Sequence, residues 1–118
     1  MIDPWKIEYY EFPSGDKPVE KFINQLEEKT QVKVTRMLDL LEEFGIKIGL
    51  PHAKKLIGTD LWELRILGAN NIRILYISMH NRIFLLLHAF KKKTQRIERK
   101  EIKIALDRLN EYRLRKQN

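Results

Sequence analysis

The run His88-Ala89-Phe90-Lys91-Lys92-Lys93 sets a side chain that titrates near neutrality, an aromatic ring and three ammonium groups one after another. Two arginines stand upstream in strand-like segments, Arg65 in LWELRIL and Arg73 in NIRILYISM. These residue types match the needs of phosphodiester cleavage in RNA. A 2′-hydroxyl must be deprotonated or oriented for in-line attack, the phosphorane charge must be stabilised, and the 5′-oxygen must gain a proton. Guanidinium and ammonium groups meet the second need, while an imidazole or a lysine of depressed pKa can meet the first or third. Plainer readings stay open beside this one. His88 can be a core histidine, the lysines a solvated run, and Arg73 half of a structural salt bridge with Glu63 or another carboxylate.

Other chemistries are excluded or unsupported. The 118-residue chain has no cysteine, so disulfides, thiolate metal sites and cysteine nucleophiles are ruled out. There is no Gly-rich phosphate loop, nucleophile elbow or HExxH motif. The histidines His52, His80 and His88 are scattered without matching carboxylate spacing, so neither a metal nor a cofactor is expected. Length and apolar content suit one domain spanning 1–118. No run of apolar residues could cross a bilayer, and residues 1–5 open with Asp3 and Pro4, unlike a secretory signal, so a cytoplasmic protein without membrane partners is expected.

The net charge of +7 is unevenly placed. Residues 1–50 carry seven Lys/Arg against ten Asp/Glu, 51–90 five against two, and 91–118 eleven against four. This asymmetry points to a polyanion, nucleic acid before membrane surface. A solvated basic tail is the plain alternative.

The elements that must position these groups follow from periodicity. Residues 5–12 alternate as a half-buried strand and end at Pro13-Ser14-Gly15. Asp16 with Pro18 supplies a helix start, and Val19, Phe22, Ile23 and Leu26 form its apolar stripe. After a polar break at 28–30, Val34, Met37, Leu38, Leu41 and Phe44 mark a second helix that stops within 45–51. The pair should form a hairpin on one face of a sheet. Residues 54–57 could be strand or loop edge, and 61–67, 72–79 and 83–90 read as an antiparallel meander broken at 58–60, 68–71 and 80–82. The nearly all-apolar IFLLL suits a central strand covered on both faces. Alternation puts Arg65 on a polar face and Arg73 among mostly apolar neighbours. A last helix at 97–113 carries Ile102, Ala105, Leu106 and Leu109 on one stripe. The order β-α-α-β-β-β-α predicts an α+β domain.

Five motifs stand in order from Lys54 to Tyr112: KKL, WELR, NIRILY, LLHAFKKKT and EIKIALDR. On these residues the chain resembles the phage-derived, HigB-like branch of the RelE toxin superfamily. The resemblance covers about half of the chain strictly, and the preceding strand and helix pair suit the same RelE-like fold. It implies a type II toxin that cuts messenger RNA on the ribosome, neutralised by a HigA-like helix-turn-helix antitoxin encoded beside it. The pair would meet operator DNA, the toxin only through that complex, and the solvent face of the 16–27 helix could receive the antitoxin.

Matched position by position, Arg65 and Arg73 fall where the superfamily places basic residues at the substrate phosphate. His88, Lys91 and Lys92 fall among its remaining catalytic basic groups, with Phe90 as a base-stacking ring. Apart from the resemblance, the run Lys91, Lys92 and Lys93 would hold RNA electrostatically. Lys54 and Lys55 match its phosphate-contacting lysines. Many superfamily members also present a tyrosine near the C-terminus; Tyr112 lies within the expected last helix, which leaves the general base open. Two other readings stand beside the toxin: a non-catalytic basic nucleic-acid-binding module, and a structural phage protein whose basic segment meets an acidic partner.

Overall fold

A strand as apolar as residues 83–91 needs cover on both faces, and the fold is organised around giving it that cover. The computed structural model describes residues 4–69 and 71–117. Asn70 of the expected 68–71 turn, and residues 1–3 of the opening segment, lie outside the described residues. Strand β5 (Ile83–Lys91) is buried from Phe84 to Phe90. It pairs in parallel with β1 (Lys6–Tyr9) and antiparallel with β4 (Ile72–Met79). Strands β3 (Trp62–Arg65) and β2 (Ala53–Lys55) continue the antiparallel meander, giving the order β1-β5-β4-β3-β2.

Helices α1 (Pro18–Asn24) and α2 (Glu28–Phe44) cover one face, and α3 (Arg99–Lys116) covers part of the other. On the first face Val19, Ile23, Val34, Met37, Leu38 and Leu41 pack on Leu64, Ile74, Tyr76, Phe84 and Leu86. On the second, Ala105 and Leu109 of α3 pack on Leu75, Ile77, Leu85 and Leu87. The expected α+β class and element order are therefore present, with 53–55 the short edge strand. Among the described residues no helix is long and apolar enough to cross a membrane.

Several boundaries differ from the periodic reading, each for a local reason. Helix α1 is capped by Lys17 without a side-chain hydrogen bond, and Asp16 lies outside it. Pro18 makes the start, because its fixed φ suits the first helical position and it has no N–H to satisfy. The break between helices falls at residues 25–27, so 28–30 form the first turn of α2. Gln31 explains this: its side-chain amide donates to Leu26 O at 2.8 Å and Asn24 O at 3.1 Å, satisfying carbonyls that end α1. The first strand stops at Tyr9, and Tyr10 turns its ring to the α3 side, where its hydroxyl donates to Glu111 at 2.6 Å. Burial, then that carboxylate, pushes the Tyr10 hydroxyl up to about 12.

The end of α2 is fixed by a close approach. Gly45 has φ +60°, and a Cβ there would overlap the Trp5 indole at Nε1. Trp5 cannot retreat, since its ring stacks on Phe84 with centroids 4.3 Å apart. Gly45→Ala should therefore cost about 2–4 kcal/mol through overpacking and backbone strain. Thermal melting followed by tryptophan fluorescence checks this, and an unchanged midpoint would contradict the packing described.

Candidate functional site

The sheet register aligns the chemistry-bearing residues in two rows. Arg65 on β3 stands opposite Arg73 on β4, which stands opposite Phe90 on β5. In the adjoining row Lys54 stands opposite Glu63, Glu63 opposite Leu75, and Leu75 opposite His88. Residues two apart in a strand share a face, so both rows lie on the side that carries α3. The polar face expected for Arg65 and the apolar face expected for Arg73 are thus one face. Helix α3 packs against β5 and β4, which makes that part apolar, and the charged side chains gather beyond it, on β3, the start of β4 and the residue after β5.

Glu63 is the centre of this arrangement. It is only 2% exposed, and its carboxylate lies 3.2 Å from Arg73 Nε, 3.9 Å from Arg65 Nε and 4.0 Å from Lys92 Nζ. Burying a lone carboxylate is costly, so the three cations and the acid hold one another in place. Arg73 also donates from Nη1 to Ile72 O at 3.0 Å, which limits its swing. Lys92 is brought in by the backbone: its N–H donates to Asn71 O at 2.6 Å, extending the β4–β5 pairing beyond the strand. Among the described residues, cations outnumber acids around this carboxylate, which suits an incoming phosphate.

His88 is committed elsewhere. Its Nε2 lies 2.9 Å from Glu101 Oε1, and its Nδ1 lies 3.4 Å from Arg108 Nη1, which also donates to Leu87 O at 2.8 Å. Arginine only donates, so Nδ1 accepts and the proton sits on Nε2, directed at Glu101. This is the neutral tautomer. Burial lowers the His88 pKa, Glu101 opposes that through its hydrogen bond, and the Arg108 charge adds to the lowering. The imidazole stacks on Phe90 with centroids 5.2 Å apart, and Phe90 itself is 5% exposed. Opposite Arg73 in the register, a ring so buried has no face open for a base to stack on.

The remaining expected residues separate. Lys55 stands opposite Trp62 and turns to the other face, its ammonium 5.8 Å from the centre of the Trp62 ring. Lys91 stands opposite Ile72, whose side chain is in the core under α1 and α2, so the alternation carries Lys91 away from Arg73. Lys93 is exposed in the loop after β5. The Tyr112 hydroxyl donates to Glu8 of β1 at 3.1 Å, and His52 and His80 lie in turns outside the strand that carries His88. Among the described residues no three His, Asp or Glu side chains gather as metal ligands would.

Glu101 and Arg108 were missed as partners of His88, and Glu63 was weighed only as a partner for Arg73. A signal existed for each. Glu63 is two residues before Arg65 and so shares its face, and Glu101 and Arg108 are seven apart, two turns of one helix face.

Fold and site together define a mixed α+β protein with a one-sided cation cluster at the uncovered end of its sheet. The sequence profile of the phage-derived Gp49-like proteins (DUF891) matches residues 21–110, and the chain belongs to that family. No curated protein matches it in sequence.

The His88 environment makes a pH prediction with a definite sign. Its pKa is lower in the folded chain than in the unfolded one, so its stabilising contribution is present above the unfolded value of about 6.5 and is lost as pH falls below that. His88→Gln removes this titration. The gap in melting temperature between wild type and His88→Gln should shrink from pH 7 to pH 5, and a gap that widens would contradict a neutral buried imidazole.

Proposed function

We propose that the protein is a HigB-like toxin of a type II toxin–antitoxin pair, a metal-independent endoribonuclease that cuts messenger RNA on the ribosome in the cytoplasm. The observation that carries this reading is the convergence of Arg65, Arg73 and Lys92, from β3, β4 and the residue after β5, on a single carboxylate. A cluster of cations around one buried carboxylate is a place where a second anion would be attracted. The excess charge would hold the scissile phosphate, and the 2′-oxygen would attack phosphorus as the bond to the 5′-oxygen breaks. Guanidinium donors would stabilise the phosphorane. Lys54, exposed beside Glu63, would extend the track for RNA, and Lys91 and Lys93 would add longer-range attraction. Membership in the Gp49-like family and the ordered motifs support the same reading. Its partners would be ribosome and messenger, a HigA-like antitoxin, and operator DNA through the antitoxin complex alone.

One observation favours a second reading, a basic nucleic-acid-binding module without catalysis: both nitrogens of His88 are engaged, so no idle imidazole stands ready to move a proton. In the nuclease reading His88 is therefore a positioning residue that stacks on Phe90 and ties β5 to α3.

Primer extension on ribosome-bound messenger separates the two. Wild type should yield discrete cleavage ends, and Arg73→Lys, which keeps the charge but loses the planar fork, should cut about 100- to 1,000-fold more slowly. Arg65→Ala should lower both cleavage and the salt dependence of RNA binding, by about 0.7 in slope on a single strand. Salt-sensitive binding without any cleavage product would establish the second reading in place of the first. Wild-type cutting by folded Arg73→Lys would remove Arg73 from the chemistry.

A further inference from the structure

We propose that Glu63 is a positioning residue for the phosphate seat: it sets the direction of the Arg65 and Arg73 guanidinium groups and lowers the seat's affinity for RNA in exchange for turnover. The inference rests on the reading above that the cluster receives a phosphate.

The arginines are direct cross-strand neighbours, an arrangement in which like charges repel and side chains splay apart. Glu63 prevents this. Its two oxygens are divided between them, Oε1 toward Arg65 Nε and Oε2 toward Arg73 Nε and Lys92 Nζ. Both arginines are approached at Nε, the inner corner of the guanidinium, so the carboxylate directs the fork from behind while its outer nitrogens stay with the far end. These contacts are ion pairs and not hydrogen bonds, since Arg65 Nε and Glu63 Oε2 lack a hydrogen-bond partner among the described residues, and the Arg65 side chain is 31% exposed. A carboxylate on the sheet floor below a phosphate opposes it electrostatically yet holds its donors in register. Positioning and repulsion therefore act on different observables: geometry on the rate, charge on affinity.

Burial separates this role from that of a general base. At 2% exposure, with three cations around it, Glu63 is reached by substrate only through the side chains it orients. It is also distinct from an ordinary structural ion pair. A pair that only stabilises the fold would, when weakened, lower melting temperature, binding and cleavage together.

The test uses the full chain carrying Glu63→Gln or Glu63→Asp, with a single-stranded RNA oligonucleotide for affinity and ribosome-bound messenger for cleavage. Glu63→Gln removes one negative charge and should bind the oligonucleotide about 3- to 10-fold more tightly at low salt, while cutting about 10- to 100-fold more slowly. Glu63→Asp keeps the charge but draws the carboxylate back by one methylene. It should bind as wild type and still cut about 10-fold more slowly, and this variant decides the matter if Glu63→Gln does not fold. Affinity and rate that fall together in step with melting temperature would overturn the proposal, as would wild-type cleavage by folded Glu63→Asp. If wild type binds but cuts nothing, the nuclease reading fails on its own. The affinity arm then decides the role of Glu63, and unchanged or weaker binding by Glu63→Gln overturns it.

Discussion

A carboxylate almost entirely removed from water, in contact with three cations, is the constraint from which the rest of this structure follows. Desolvating Glu63 is unfavourable unless positive charge stays close, and none of the three partners is adjacent to it in sequence. Arg65 is two positions along the same strand, Arg73 belongs to the next strand, and Lys92 follows the strand after that. Satisfying the acid therefore requires β3, β4 and the end of β5 to be in register. The same requirement collects excess positive charge at one place, which links the stability of this corner of the sheet to its capacity for binding an anion.

The two faces of the sheet divide the work. Under α1 and α2 the packing is apolar from β1 to β3, and Trp5 on Phe84 and Tyr76 edge-on to Phe84 fill it with rings. On the opposite side, α3 is secured by hydrogen bonds as much as by apolar contact. Glu101 and Arg108 hold His88 and the Leu87 carbonyl, Glu111 accepts from Tyr10, and Tyr112 donates to Glu8. These bonds run along nearly the whole helix and fix it over β5 and β4, with the charged end of the face beyond it. Phe90 lies at the boundary: stacked on His88 and opposite Arg73, it is a floor between the apolar and the charged parts.

This division changes the roles that residue types alone suggest. An imidazole next to lysines invites a catalytic reading, yet here it joins sheet to helix, while an acid in a strand that resembles a salt-bridge partner is the hub of the cluster. Lys91 and Lys92 are chemically identical and adjacent, but only Lys92 reaches Glu63.

Periodicity in the residues was sufficient to determine the α+β class, the helix pair, the meander and the central, doubly covered β5, because those features depend on apolar spacing within one segment. Residue type and the family resemblance, and not periodicity, nominated Arg65, Arg73, His88, Lys91 and Lys92. What only the tertiary structure decided is which residues meet. That β1 joins β5 in parallel, that Arg65 lies opposite Arg73, that Lys55 and Lys91 turn away, and that Glu101 and Arg108 engage His88 all depend on strand register and on where α3 lies across the sheet. Register is a relation between segments, and a shift of one residue reverses every side chain, so no single stretch of sequence contains it.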